Sequence, residues 1–525
     1  MRGFVPFPAE RAAAYRAAGY WRDRPLASLL ADAAVRWPQR PAVSDAHATL
    51  TYGELDAAAE RAAAAVHADG VVAGDRVLLQ LPNGCGFAVA LFALLRLGAI
   101  PVLCLPGHRA AEIGRLAADS AAVGIIIPDA AATADQSTAG FDYPSMAAAL
   151  GVRRIQVDAP VGHLGDAVPQ VPVDPAAPAL LLVSGGTTGA PKLIPRTHND
   201  YLYNATASAE LCQLSAQDVY LVALPAAHNF ALACPGLLGA MAVGAHVVFG
   251  ADPSPEASFA TIARHRVTVT ALVPALAALW AQACDWEPQP PTTLRLLQVG
   301  GAKLAARDAR RIREVLTPGL QQVFGMAEGL LCFTRPGDAD DLLDTSQGRP
   351  LCGADELRVV DADGTEACEG ELLVRGPYTI NGYFTAAGGH AGNAASFTPD
   401  GFYRSGDRVR RLANGYLEVT GRIKDVIVRG GESVAADELE IQLLRHPAIG
   451  SVAAVGLADD YLGEKICAAV VFNGPPVSLA ELNEHLHRCG VATHIRVDQL
   501  TVSSTLPLTA VGKVDKKALA RQLHN

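Results

Sequence analysis

Basic patches, paired-cysteine motifs and long apolar runs are all missing from this chain, and each absence removes a class of function. Lys and Arg number 43 against 53 Asp and Glu, a formal net charge of −10. No Lys/Arg cluster is long enough to track a phosphate backbone, which argues against nucleic acid as a partner. The ten cysteines (85, 104, 212, 234, 284, 332, 352, 368, 467 and 489) have neither Cys-x-x-Cys spacing nor pairing with nearby histidines. They read as reduced core residues rather than zinc ligands or a redox couple. No run of about 18 apolar residues marks a membrane span. The N-terminus, Met1-Arg2-Gly3-Phe4-Val5-Pro6, lacks the apolar stretch of a signal peptide, and together these features place the protein in the cytoplasm. Aromatics are few, 6% of the chain, but half the residues are apolar. Core material is therefore ample, and Ala-rich stretches such as Ala57 to Val66 point to closely packed helices. At 525 residues the chain exceeds what one core organises, so two or more domains are expected.

Through residue 330 or so, helical and strand patterns alternate as in an α/β domain with largely parallel sheets. Thr51 and Glu54 form a capping box before an Ala-rich helix, Gly70 follows its end, and Arg76 to Leu81 reads as the next strand. Further strand-like runs lie at Ile100 to Leu105, Leu180 to Val183, Val219 to Ala223, Ala245 to Phe249, Val267 to Leu272 and Leu294 to Val299. From about 340 to 420 the texture changes to short strands split by Gly, Asp and Pro, among them Glu356 to Val360 and Gly370 to Arg375. A compact α+β segment follows to the end, with strands near Val452 to Val455 and Lys465 to Phe472 and a helix capped by Ser478 and Glu481. The stretch 129–137, rich in Ala and Asp, reads as a surface loop. The fold class is therefore α/β: a large N-terminal domain, 1–422, of stacked mixed and parallel sheets with helices and a β-rich subdomain at 340–420, and a small α+β domain, 423–525.

Leu182 to Lys192, Leu-Val-Ser-Gly-Gly-Thr-Thr-Gly-Ala-Pro-Lys, ends an apolar strand in glycines, hydroxyls and a lysine. Glycines 185, 186 and 189 let the backbone approach a ligand, while Ser184, Thr187, Thr188 and Lys192 supply donors and charge for phosphate oxygens. A P-loop would follow its lysine with Ser or Thr and open a helix. Here Leu193 follows, and Pro191 and Pro195 flank the lysine, so no helix continues and that motif is excluded.

Four further motifs accompany this loop in order: Val323-Phe324-Gly325-Met326-Ala327-Glu328, Tyr403-Arg404-Ser405-Gly406-Asp407, Gly421-Arg422-Ile423-Lys424-Asp425 and Leu508-Thr509-Ala510-Val511-Gly512-Lys513. The series resembles the adenylate-forming enzymes and spans nearly the whole chain. Gly185-Gly186, Pro195-Arg196-Thr197-His198-Asn199 and Leu224-Pro225-Ala226-Ala227-His228-Asn229 make it most similar to the stand-alone aryl-acid AMP ligases of siderophore pathways. That resemblance implies ATP-dependent activation of a carboxylate, release of pyrophosphate, and transfer of the acyl group to the phosphopantetheine thiol of an aryl carrier protein.

By resemblance, Ser184, Gly185, Gly186, Thr187, Thr188 and Lys192 hold the β- and γ-phosphates, and Glu328 helps ligate Mg²⁺, a hard cation that shares carboxylate and phosphate oxygens. Many relatives carry Thr where this chain has Ala327, so any phosphate contact of that hydroxyl falls to other groups. Asp407 matches the acceptor of both ribose hydroxyls, with Arg422 beside it. Gly300, Gly301 and Ala302, with Val323, Phe324, Gly325 and Met326, surround the adenine. Lys513 matches the catalytic lysine that enters the site during adenylation, and Lys424 the hinge about which the small domain turns. Gly430-Gly431-Glu432 would face the thiol donor. Asn229 matches the residue that hydrogen-bonds the acid's 2-hydroxyl, and Cys234 and Leu331 stand where 2,3-dihydroxybenzoate enzymes carry Ser and Val. A thiol donates poorly to a 3-hydroxyl and Leu fills its space, which favours salicylate. Phe230, Ala302 and Val323 complete the apolar slot, and His228 either acts in catalysis or gates the thiol's channel. An aryl-CoA ligase, a 2,3-dihydroxybenzoate ligase and a non-catalytic nucleotide-binding protein remain the alternatives.

Overall fold

The computed structural model describes residues 1–128, 141–157, 172–184, 191–287, 290–389, 392–423, 426–429, 432–459, 461–489, 495–509 and 512–524. The stretch 129–137, the loop residues Gly185, Gly186, Thr187 and Thr188, and Lys424, Gly430 and Gly431 lie outside the described residues.

Local signals place the helices. Thr51 accepts from the Glu54 amide while Glu54 reaches back, closing the capping box that starts helix Tyr52–Ala68. Ser478 and Glu481 do the same for Leu479–Arg488. A third box, Thr197 with Asp200, opens helix His198–Leu211. Each removes two orphan amides from a helix start.

Among the described residues the strands form four sheets. The largest runs Arg349–Pro350, Gly329–Phe333, Leu320–Met326, Leu296–Gly300, Val269–Leu272, Val219–Val222, His246–Phe249, Pro41–Ser44, Thr49–Thr51. Its central strands are parallel. A second sheet of Gly124–Ile126, Arg76–Leu79, Ile100–Leu103 and Pro178–Val183 is parallel and ends in antiparallel Leu193–Thr197. The four strands between Glu356 and Arg422 are antiparallel. The last sheet joins Val426–Arg429, Glu432–Ala435, Ile449–Asp459, Gly463–Phe472 and Gln499–Val502.

Parallel order has a direct consequence for function. Neighbouring strands end at Val222, Leu272, Gly300 and Met326, so the segments that follow them emerge along one edge, where ligands of α/β sheets bind. The chain after Lys192 continues as strand Leu193–Thr197, as the flanking prolines require. The cysteines are free, and seven are buried, but Cys368 is exposed and Cys284 and Cys489 are half-buried. Cys489 Sγ also lies 3.5 Å from His485 Nε2, a pairing across one helical turn that corrects the expectation of none. Among the described residues no helix is long and apolar enough to cross a membrane.

Candidate active site

The strand pair Pro178–Val183 and Leu193–Thr197 is closed by two hydrogen bonds: the Ser184 amide donates to the Lys192 carbonyl and the Lys192 amide to Ser184 Oγ, both 2.9 Å. The second holds the Ser184 hydroxyl at the root of the glycine loop. Lys192 Nζ sits 4.2 Å from the centroid of the Tyr383 ring, and the Tyr383 hydroxyl donates to Glu328 Oε1 at 2.8 Å. Burial and the Glu328 charge push the Tyr383 phenol far above its ordinary range, so it remains a donor. One tyrosine thus links the lysine of the loop to the carboxylate of the Phe-Gly-Met-Ala-Glu motif.

Glu328 is nearly buried and, with Ala327, forms the turn between Leu320–Met326 and Gly329–Phe333. Gly329 has φ +138°, and a Cβ there would stand 2.4 Å from Thr379 Cα, so no other residue fits behind Glu328. Among the described residues no group of three or more His, Cys, Asp or Glu could hold a metal by itself. A lone hard carboxylate suits Mg²⁺, which is ordinarily bound through one or two carboxylates plus phosphate oxygens.

Asp407 and Arg422 face each other across paired strands, with Arg422 Nε 3.1 Å from Asp407 Oδ1. Burial raises the Asp407 carboxyl above its usual value, against the opposing pull of Arg422 and Lys513. Lys513 is carried by a hairpin in which its amide donates to Thr509 Oγ1 at 3.2 Å and its carbonyl accepts from the Thr509 amide at 2.6 Å. Gly512 has a φ of +76°, and its amide donates to the Thr509 carbonyl at 2.9 Å. The Lys513 side chain reaches Gly301: a Cβ built there, where φ is +87°, would be 3.1 Å from Lys513 Cε. Burial and the Arg422 charge lower the Lys513 amine to about 8, although Asp407 and Glu328 act the other way. His228 falls to about 3 through burial and the Lys513 charge, so its imidazole is neutral near pH 7. Its Nδ1 accepts from the Phe230 amide at 3.3 Å, capping the short helix Asn229–Ala233.

That helix brings together the residues that the sequence assigns to the acid. Asn229 Nδ2 lies 3.5 Å from Cys234 Sγ, and the thiol turns back to the Asn229 carbonyl at 3.4 Å. A Cβ on Gly300 would meet the Val323 carbonyl at 2.5 Å and Phe230 Cζ at 3.2 Å, so Gly300, Val323 and Phe230 form one packed wall. Leu331 pairs with Gly325 in adjacent strands, and its Cδ2 would stand 2.6 Å from a Cβ there. Gly301, Ala302 and Gly325 are exposed and Phe324 and Met326 half-buried, as suits a face open to a large ligand.

Five participants carry no motif that singles out their role. Asn83 donates to the carbonyls of Val222, Leu224 and Gly250 and accepts from the Ala226 amide at 2.8 Å, bracing the Leu224 to Asn229 segment. Tyr383 links Lys192 to Glu328. The Tyr378 hydroxyl accepts from the Leu331 amide at 3.2 Å and donates to Asp355 at 2.6 Å. Arg196 and Tyr201 lie behind Asn229; Arg196 belongs to the Pro-Arg-Thr-His-Asn motif and sits near the end of strand Leu193–Thr197, four residues before its partner Asp200 in the helix that follows.

Residues 30–384 match the AMP-binding enzyme family, and residues 438–513 match the AMP-binding enzyme C-terminal domain. The chain is 64% identical to the salicyl-AMP ligase / salicyl-S-ArCP synthetase of Mycobacterium tuberculosis (strain ATCC 25618 / H37Rv), covering 100% of this chain and 95% of that protein. A salicylyl-CoA synthase / salicylate adenylyltransferase from a Streptomyces species is 46% identical over 98% of this chain and 97% of its own length. The apo structure of MbtA from Mycobacterium smegmatis aligns with a TM-score of 0.75 at 62% identity, covering 99% of each chain.

Proposed function

This chain belongs to the AMP-binding enzyme family, and on that premise we propose that it is a salicylate-AMP ligase of siderophore biosynthesis. It joins salicylate to the α-phosphate of ATP, expels pyrophosphate, and passes the salicyl group to the phosphopantetheine thiol of an aryl carrier protein. The carrying observation is a full-length likeness to a salicyl-AMP ligase together with an Asn229 amide backed by the Cys234 thiol; Leu331, paired with Gly325, is read as filling the space of a 3-hydroxyl.

A carboxylate oxygen of the acid attacks the α-phosphorus, and the bond to the bridging oxygen of pyrophosphate breaks. Charge grows on the α-phosphate and the leaving group, so rate comes from preorganised donors. Lys513 supplies an ammonium there, drawn into place by Asp407 and Glu328. Ser184, Gly185, Gly186, Thr187, Thr188 and Lys192 hold the outer phosphates. Asp407 and Arg422 take the ribose, and Gly300 to Ala302 and Val323 to Met326 the adenine. Mg²⁺, held by Glu328 and phosphate oxygens, supplies charge neutralisation when bound. In the second half-reaction the thiol sulfur attacks the acyl carbonyl and the bond to AMP breaks. Neutral His228 borders the path of that thiol. The division at 422/423, with Lys424 as hinge, lets the part bearing Lys513 withdraw between the two steps. The cytoplasm, which supplies ATP, is the site of action.

The test is aryl-acid-dependent exchange of labelled pyrophosphate into ATP with salicylate, 2,3-dihydroxybenzoate and benzoate. Salicylate is the best substrate; strongest exchange with dihydroxybenzoate would overturn the pocket assignment and leave the reaction class. The Streptomyces relative's name offers coenzyme A as a second acceptor, so transfer is assayed with both CoA and a phosphopantetheinylated carrier, and faster CoA acylation would replace the carrier reading.

A further inference from the structure

We propose that Tyr201 is a positioning residue that decides which end of the Asn229 carboxamide meets the acid, and thereby sets the preference for an ortho oxygen. The inference rests on the reading that salicylate is activated in this pocket. Tyr201 is fully buried on helix His198–Leu211, and its hydroxyl donates to Asn229 Oδ1 at 2.8 Å. Burial drives its phenol far above the ordinary range, so the proton stays on the oxygen and needs an acceptor.

The other end of the amide is held as well. One Nδ2 hydrogen points to Cys234 Sγ, whose own proton is turned to the Asn229 carbonyl. An amide nitrogen carries two hydrogens, and among the described residues Cys234 Sγ takes one of them, so the second can serve a ligand. Asn229 therefore offers the acid a donor, which recognises an oxygen ortho to the carboxylate and gains nothing from a ring hydrogen. Rotating the amide would turn its oxygen toward the acid and leave the Tyr201 proton without its acceptor in a dry site, which is costly.

Tyr201 is itself immobilised. The Arg196 guanidinium lies 4.6 Å from its ring centroid, and Arg196, with no exposed surface, is fixed by Asp200 Oδ1 at 2.8 Å, the Ala327 carbonyl at 3.0 Å, the Tyr378 carbonyl at 3.2 Å and Asn204 Oδ1 at 3.5 Å. The Pro-Arg-Thr-His-Asn motif thus acts on the acid through Tyr201 rather than by touching it.

The experiment is kcat and KM of pyrophosphate exchange for wild type and Tyr201→Phe with salicylate and with benzoate. The loss of one hydrogen bond predicts that the salicylate-to-benzoate ratio of kcat/KM falls about tenfold, through the salicylate KM, while benzoate moves less than about twofold. An unchanged ratio, or an equal fall for both acids, overturns the inference and leaves the functional reading intact. A wild type with no salicylate-dependent exchange overturns both. If Tyr201→Phe does not fold, Asn229→Asp keeps the acceptor for Tyr201 and deletes the donor; it must lose the salicylate preference, and retention overturns the proposal.

Discussion

The proposed acid pocket and the proposed nucleotide-facing rim differ in construction. Asn229, Cys234, Tyr201 and Arg196 are 8% exposed or less and come from helices His198–Leu211 and Asn229–Ala233 and their flanks; hydrogen bonds join Tyr201, Asn229 and Cys234, and the Arg196 guanidinium stacks on the Tyr201 ring. The rim draws on all four sheets: Ser184 and Lys192 from one, Gly300, Gly301 and Glu328 from another, Asp407 and Arg422 from the third, and Lys513 from a hairpin packed with the fourth. In this arrangement Arg307 donates to the carbonyls of Leu444 and Gly450 at 2.8 and 3.3 Å, and the proposed hinge motion would carry Lys513 away with them. On the proposed function, specificity thus falls to a preorganised interior and the chemistry to groups brought together from separate sheets.

The sharpest way to break the rigid half is Arg196→Met. It strands Asp200, whose carboxyl burial already raises despite its partner, and should cost about 3–5 kcal/mol of stability, read from the denaturant midpoint. Adding Asp200→Leu removes the orphaned charge and should restore most of that loss. The mobile half answers differently. Lys513→Ala should lower salicylate-dependent pyrophosphate exchange by roughly 10²–10³-fold, while transfer from supplied salicyl-AMP to the carrier proceeds near the wild-type rate and the melting temperature stays put.

Smaller changes sharpen the contrast. Leu331→Val with Cys234→Ser makes room and a donor for a 3-hydroxyl, and should shift the ratio of dihydroxybenzoate to salicylate kcat/KM by about 1–3 kcal/mol, leaving the ATP KM unmoved. The pH profile probes the rim alone. The Lys513 amine, lowered to about 8, is the required ammonium below that pH and is lost above it. Adenylation kcat/KM should therefore fall about tenfold from pH 8 to pH 9.5, and Lys513→Arg should carry that alkaline limb upward.

Strand and helix identities were legible because their causes are local: the boxes at Thr51/Glu54 and Ser478/Glu481 and the alternation of apolar runs all formed as read. Ordered motifs also single out Glu328, Asp407 and Lys513, which the fold brings near enough to shift one another's titration. Asn83, Tyr378 and Tyr383 had no such signal, because each matters only through a partner far away in the chain. Tyr378 meets Arg196 across 182 positions and Tyr383 meets Glu328 across 55. Cys368 is exposed rather than core for a related reason: composition gives average burial, whereas a residue's position on its own element decides its exposure.

By itself, then, the sequence determined the elements, their order and the chemical groups available, since propensity, capping and glycine-rich turns act over a few residues. Only the tertiary structure decided which groups converge. Sheet order places strands distant in sequence side by side, and that nonlocal pairing, with the burial it brings, turns a tyrosine on one helix into the group that orients an asparagine on another.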